Sequence, residues 1–257
     1  MVEAIGLKAS HIIKPGENLF EVLCETFELH LQIPQERSII VIAETVVSTT
    51  QNRIIKLSDI TNITPNAVQW SSEFEVEPAF AQLVLQESDE IIGGIPGMLF
   101  TVKSGILIAN AGIDQSNAGG EGEYSLWPVD PFGVAEDLCK KIKEKYQLNE
   151  FGVIISDSRV QPLRRGIVGV AIGVAGFKPV DDCRGRCDLF GHEMKWTTRA
   201  LADQITDVAH LLMGECDEQT PFVLVKDAPV SFTSQKISPD TMLMSRDQDL
   251  FSRIFKF

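Results

Sequence analysis

The sequence predicts an α+β fold in which several short strands build mixed sheets and helices pack against them. Three observations carry this. Apolar residues recur at helical spacing in long stretches, short β-branched runs stand apart from them, and the two kinds of segment do not alternate as a doubly wound sheet requires.

In chain order, residues 38–47 (SIIVIAETVV) form a continuous β-branched apolar run, the pattern of a strand covered on both faces. A helix is predicted over 78–86, because Pro78 suits a first helical turn, where its missing N–H is not needed. Residues 99–102 and 106–109 read as two strands around Lys103-Ser104-Gly105, a hairpin turn. Val134, Leu138, Ile142 and Tyr146 recur every fourth residue and predict a helix with its lysines largely off the apolar face. Residues 152–155 and 222–225 are further short strands. Between them Leu201, Ile205, Val208 and Leu212 mark a second helical stripe, closed by Gly214 at a C-cap. The glycine-rich stretches 93–97 and 118–122 read as loops. The expected organisation is one unit spanning 1–257, with room for two intimately packed subdomains.

A net charge of −13, from 36 acidic and 23 basic residues, argues against broad contact with nucleic acid or an anionic membrane. The longest apolar stretch, around 167–176, is far short of the roughly 20 residues a membrane helix needs. The first ten residues lack a secretory apolar core, so the expected location is cytoplasmic. Five scattered cysteines fit a reducing compartment. Cys183, Cys187 and His192 invite a zinc reading, but no second pair completes the four ligands of a structural site.

No G-x-x-x-x-G-K-[ST], no G-x-G-x-x-G opening a helix after a strand and no G-x-S-x-G occurs, and the four histidines suggest no triad. What remains is a set of acidic residues at predicted element ends. Asp114 follows the hairpin, Asp157 and Ser158 follow the 152–155 strand, and Glu215 follows the helix ending at Gly214. Carboxylates with a hydroxyl suit magnesium or manganese better than zinc. From periodicity alone, a turn cap at Asp114 and a helix cap at Asp157 are the plainer readings.

The motifs shift that balance. NAGIDQSN at 110–117, DSRVQPLRRGIVGVAIGVAGF at 157–177, DLFGHE at 188–193 and LLMGE at 211–215 resemble, in order and interval, the successive motifs of the coenzyme F-420-0 gamma-glutamyl ligases. A weaker similarity runs upstream through HIIKPGENL and IAETVVS, so the resemblance covers nearly all of residues 10–227. It implies a divalent metal pair, Mg2+ or Mn2+, held by Asp114, Asp157, Ser158 and Glu215. It implies GTP or ATP as cosubstrate, contacted by Asn117 and bordered by Ile12, Ile13, Glu44 and Thr45. The implied chemistry joins L-glutamate to a carboxylate of an anionic coenzyme through an acyl phosphate, with Asp114 and Asp157 as the catalytic carboxylates. Arg164 and Arg165 read either as binders of phosphate or of glutamate's carboxylates, or as a solvated turn. The resemblance further implies a homodimer.

The chain departs from the family pattern where relatives read S-K-x-E-G-R, since it has Ser48-Thr49-Thr50-Gln51-Asn52-Arg53. It also has Val160 and Gln161 in place of G-R. These departures open a folate acceptor beside F-420-0, and also a non-catalytic binding protein of the same fold. A metal-dependent phosphohydrolase is a third reading of the same carboxylates.

Overall fold

In a computed structural model, which describes residues 1–255, β1 (Glu3–Leu7) leads to α1 (Leu19–Leu29), β2 (Ser38–Ala43) and α2 (Glu44–Thr50). A second block follows: β3 (Ile54–Lys56), α3 (Pro65–Phe74), α4 (Pro78–Glu87), β4 (Glu90–Ile95), β5 (Met98–Lys103), β6 (Ile106–Ala109) and β7 (Glu123–Ser125). The chain then forms α5 (Pro131–Tyr146), β8 (Phe151–Val160), β9 (Ile167–Ala175), β10 (Val180–Asp182), β11 (Thr198–Ala200), α6 (Leu201–Met213), β12 (Phe222–Lys226) and α7 (Leu250–Phe255). This is the α+β class that the sequence predicts.

The principal sheet has the order β1-β12-β2-β8-β9, with β2 and β8 parallel and every other pair antiparallel. Its central strands β2 and β12 and the first half of β8 are mostly apolar because both faces are covered there. Ile40, Ile42, Val153 and Ile155 face a core shared with α1, α2 and α5, whereas Ile39, Val41 and Ile154 face one shared with α6. A third core, around Leu57, Leu83 and Leu99, belongs to the block from β3 to β7 and holds α3 and α4 against the sheet β4-β5-β6. No helix among the described residues is long and apolar enough to cross a membrane.

The hairpin at 99–109 and the helices over 78–86, 134–146 and 201–212 stand where their patterns place them. Four expectations are corrected. The run 38–47 is not one strand, because β2 ends at Ala43 and α2 begins at Glu44. Val46 and Val47 turn into the core and the Ser48 hydroxyl donates to the Leu126 carbonyl at 2.6 Å, so tertiary contacts outweigh local β preference. The strand expected at 152–155 continues to Val160 across a bulge between Ile155 and Ser156, which places Asp157 and Ser158 inside β8 rather than after it. Gly93 and Gly94 belong to β4 rather than to a loop. Finally, α1 and α3 arise where no helix is expected, each capped by a side chain, from Asn18 and Thr64 respectively.

Candidate active site

The last rung of the parallel pair β2–β8 joins Ala43 to Ser156, and the next residue on each strand is acidic. Glu44 opens α2 with its carboxylate accepting from the backbone N–H and, at 2.8 Å, the hydroxyl of Thr45. Asp157 accepts from the Ser158 N–H through Oδ1 at 2.6 Å. Its Oδ2 is sealed from solvent with no hydrogen-bond partner among the described residues. A buried carboxylate oxygen left in that state costs free energy until something pairs with it.

Asp114 is delivered by an unusual turn. Asn110, Ala111 and Gly112 are all left-handed, with φ of 51°, 56° and 71°. Two non-glycine residues hold that conformation because their surroundings bind it: Asn110 Oδ1 accepts from the Leu99 N–H at 2.9 Å, and the Ala111 N–H donates to the buried Thr101 hydroxyl at 2.9 Å. A Cβ on Gly112 would stand 2.2 Å from Trp127 Cε3, so only glycine fits there. Asp114 then exchanges two backbone hydrogen bonds with Ser125, at 3.1 and 2.8 Å, and its carboxylate accepts from the N–H and hydroxyl of Ser116.

Glu215 follows Gly214, whose φ of 71° ends α6. The loop from Gly214 is drawn to the same end of the sheet, where the Pro221 carbonyl accepts from the Ala43 N–H at 3.0 Å. Asn117 Nδ2 donates to the Cys216 carbonyl at 3.2 Å, tying the Asp114 loop to the Glu215 loop. Glu215 also lies 3.6 Å from His210, whose burial disfavours its charged form.

Four acidic side chains therefore share one field. Burial pushes Glu44 up to about 7 against the hydrogen bonds from Thr45, and the charges of Asp114 and Glu215 raise it further. Asp157 is raised well above the ordinary aspartate range, first by burial and then by the charge of Glu44, with Asp114 and Glu215 adding to it. Glu215 is raised by burial and by Asp114 and Glu218. Desolvation combined with like charge is a feature of candidate functional sites, and a cation here would relieve both.

Of the residues singled out from sequence, Glu44, Thr45, Asp114, Asn117, Asp157, Ser158 and Glu215 gather at this end of the sheet. Ile13 packs on the adjoining core, and Ile12 is exposed. They lie on a segment fastened to the Glu215 loop by the Ala9 N–H donating to the Gln219 carbonyl at 2.9 Å. Arg164 and Arg165 are exposed in the β8–β9 turn, at least three strand residues beyond Asp157 and thus roughly 10 Å or more away, and neither makes an ion pair with a described residue. Thr49 is almost fully buried in α2. Sequence reading passed over Glu218, which bonds the Cys216 N–H at 2.8 Å, and the Thr101 anchor, which looks like any β-branched strand residue.

Among the described residues no three His, Cys, Asp or Glu side chains already form a metal-ligating group, at the carboxylates or at Cys183, Cys187 and His192. The carboxylates instead spend oxygens on neighbouring N–H and hydroxyl groups, which lessens their mutual repulsion. The donor set, all oxygen and with Asp157 Oδ2 unpartnered, fits a hard divalent cation.

Residues 7–227 match the family described as F420-0:Gamma-glutamyl ligase. The chain is 36% identical over 254 residues to the Coenzyme F420:L-glutamate ligase of Methanocaldococcus jannaschii, covering 97% of this chain and 96% of that protein. It is 34% identical over 255 residues to the protein so named from Archaeoglobus fulgidus, covering 99% and 98%. For that from Methanococcus maripaludis strain C7 the identity is 37% over 251 residues, covering 97% of each. With the sequence motifs, the fold and near full-length matches in agreement, this chain belongs to the F420-0:gamma-glutamyl ligase family.

Proposed function

We propose that this chain is a nucleotide- and metal-dependent ligase that joins the amine of L-glutamate to a carboxylate of a coenzyme, with F420-0 as its first acceptor. Ligase activity toward glutamate follows from the family and from the printed activity of its relatives. The observation that carries the metal-dependent reading is the cluster in which the buried Glu44 and half-buried Asp157, with its unpartnered Oδ2, meet the exposed carboxylates of Asp114 and Glu215.

Asp114, Asp157, Ser158 and Glu215 would hold the metal, two ions by the family pattern. When bound, Mg2+ or Mn2+ supplies charge neutralisation at the phosphate oxygens of the cosubstrate. The acceptor carboxylate attacks the γ-phosphorus of GTP or ATP, the nucleoside diphosphate leaves, and an acyl phosphate remains. The glutamate amine then attacks the acyl carbon, expelling phosphate and losing a proton as the amide forms. Asn117, Thr45 and the segment at Ile12 and Ile13 border the nucleotide in this reading. Asn117 would exchange its bond to Cys216 for a contact with the base or phosphates. Arg164 and Arg165, exposed and without an ion pair among the described residues, would fork onto a phosphate or the glutamate carboxylates.

A folate acceptor is the second reading, favoured by Thr49, Val160 and Gln161 standing where relatives carry K and G-R. The hairpin from β10 to β11 projects Leu189, Phe190 and Trp196 at 99%, 84% and 90% exposure, which supports a homodimer formed through this arm. The test is to incubate purified protein with glutamate, Mn2+ or Mg2+, GTP or ATP and either F420-0 or tetrahydrofolate; the expected result is a glutamylated product by mass spectrometry. Asp157→Asn abolishes that product and weakens metal-dependent nucleotide binding. Absence of product from every combination refutes the ligase reading, and phosphate release independent of glutamate favours a hydrolase instead.

A further inference from the structure

The helix α6, whose C-terminal end releases Glu215, is fastened side-on to the edge of the principal sheet. β9 is the outermost strand there, so one row of its backbone N–H groups has no neighbouring strand to bond. Asp207 Oδ1 accepts from the Gly169 N–H at 2.8 Å, and Asp203 Oδ1 accepts from the Ala171 N–H at 3.0 Å. Gly169 permits this approach, because a Cβ there would stand 2.7 Å from Thr206 Cγ2 and 3.0 Å from the Asp207 backbone nitrogen. The start of the helix is also held, by the Ala202 N–H donating to the Pro179 carbonyl at 3.0 Å.

These two bonds fall beside the candidate site. In the β8–β9 ladder Gly169 lies opposite Ser158 and Ala171 opposite Ser156, and Val170 between them lies opposite Asp157. Paired residues of antiparallel strands are ~5 Å apart, so α6 is anchored about one strand spacing from Asp157 and Ser158. Asp203, Asp207 and His210 share one face of α6 by their helical spacing, and that face ends with His210 3.6 Å from Glu215. At the end of the helix, Met213 Sδ lies 3.9 Å from the hydroxyl of Ser156, the residue before Asp157. One helix therefore joins the strand pair that carries Asp157 and Ser158 to the loop that carries Glu215. The apolar face of α6, with Ala202, Ile205, Ala209 and Met213, already packs on the sheet, whereas Asp203 is half-buried and Asp207 exposed. Apolar packing is non-directional, and it is the two hydrogen bonds to alternate N–H groups of β9 that select a single register.

We propose that Asp203 and Asp207 are positioning residues for the metal site: by pinning α6 to β9 in one register, they set the separation between Glu215 and the Asp157–Ser158 pair that a shared divalent cation must match. Mg2+ demands near-ideal octahedral geometry, so a helix free to slide along β9 would present Glu215 at the wrong distance. The proposal rests on the metal-dependent reading and adds to it two carboxylates that act through Glu215 rather than on the ion.

The test measures Mn2+ binding to nucleotide-free protein by electron paramagnetic resonance. Wild type is compared with Asp203→Ala, Asp207→Ala, Asp203→Asn and Asp207→Asn, each checked for folding by circular dichroism. Asparagine removes the same charge as alanine but keeps an oxygen that accepts from the strand N–H, so the comparison separates helix position from long-range attraction of the cation. The expected result is about tenfold weaker Mn2+ binding in each alanine variant, with each asparagine variant within about threefold of wild type. Asp207 is exposed, so its variants decide the question even if Asp203→Ala does not fold. A folded Asp207→Ala that binds Mn2+ as wild type does, or an Asp207→Asn that loses as much affinity as Asp207→Ala, overturns the positioning role and leaves the metal-dependent reading standing. A wild type that binds no Mn2+ overturns both.

Discussion

Glu44→Gln should make the metal-free protein more stable at neutral pH. The carboxylate is buried at the start of α2 beside two other raised carboxyl groups, and a glutamine of the same shape can still accept from the Thr45 N–H while donating to the Thr45 hydroxyl. The folded-state value of about 7 stands above the ordinary 4.5. Below pH 4.5 both folded and unfolded chains carry the proton, and nothing is lost. Between 4.5 and about 7 the unfolded chain ionises first, so stability falls as pH rises, and above 7 the full penalty persists. At about 1.4 kcal/mol per pH unit, that interval corresponds to about 3 kcal/mol. For a chain of this size such a change moves Tm by roughly 5–10 °C. Thermal unfolding followed by circular dichroism in EDTA, at pH 5 and pH 8, should therefore show wild type losing ground to Glu44→Gln as pH rises. Saturating Mn2+ should narrow the gap, because a cation beside Glu44 offsets the penalty of ionising it. A Glu44→Gln protein with the wild-type pH slope, or one less stable than wild type at pH 8 in EDTA, refutes the electrostatic account of the site.

Two further outcomes follow from local geometry. Gly112→Ala forces a Cβ into Trp127 at a φ of 71° and should cost about 2–4 kcal/mol, read as a lower urea midpoint; an unchanged midpoint would show that the turn relaxes freely. Leu189→Glu combined with Phe190→Glu should convert a dimer to a folded monomer in light scattering at low micromolar concentration. A dimer that survives both charges places the interface elsewhere.

The elements that sequence predicts well are those whose burial is periodic. The stripes at 134–146 and 201–212 and the hairpin at 99–109 state their own structure, because one face of each is spent on a core. α1 carried the same signal, with Val22, Leu23, Thr26 and Phe27 buried behind an Asn18 cap. It is legible in retrospect from that spacing. α2 was not, since ETVVSTT has the composition of a strand and winds only because its neighbours bind it that way. The site divides along the same line. Residue type and motif order named the carboxylates, but their convergence depends on a parallel pairing between β2 and β8 that joins residues 113 positions apart, as in Ala43 beside Ser156. No local pattern encodes that contact.

The departure at Thr49 gains a physical consequence from the same geometry. The chain supplies no cation at this position, and Thr49 is nearly buried on α2, the helix opened by Glu44; burial first, and repulsion after it, favours the protonated forms of Glu44 and Asp157. With Arg164 and Arg165 outside that cluster, ionising all four carboxylates together calls for positive charge from outside the described residues. In the proposed metal-dependent reading the bound cation supplies that charge, and nucleotide affinity should rise with Mn2+ or Mg2+ concentration.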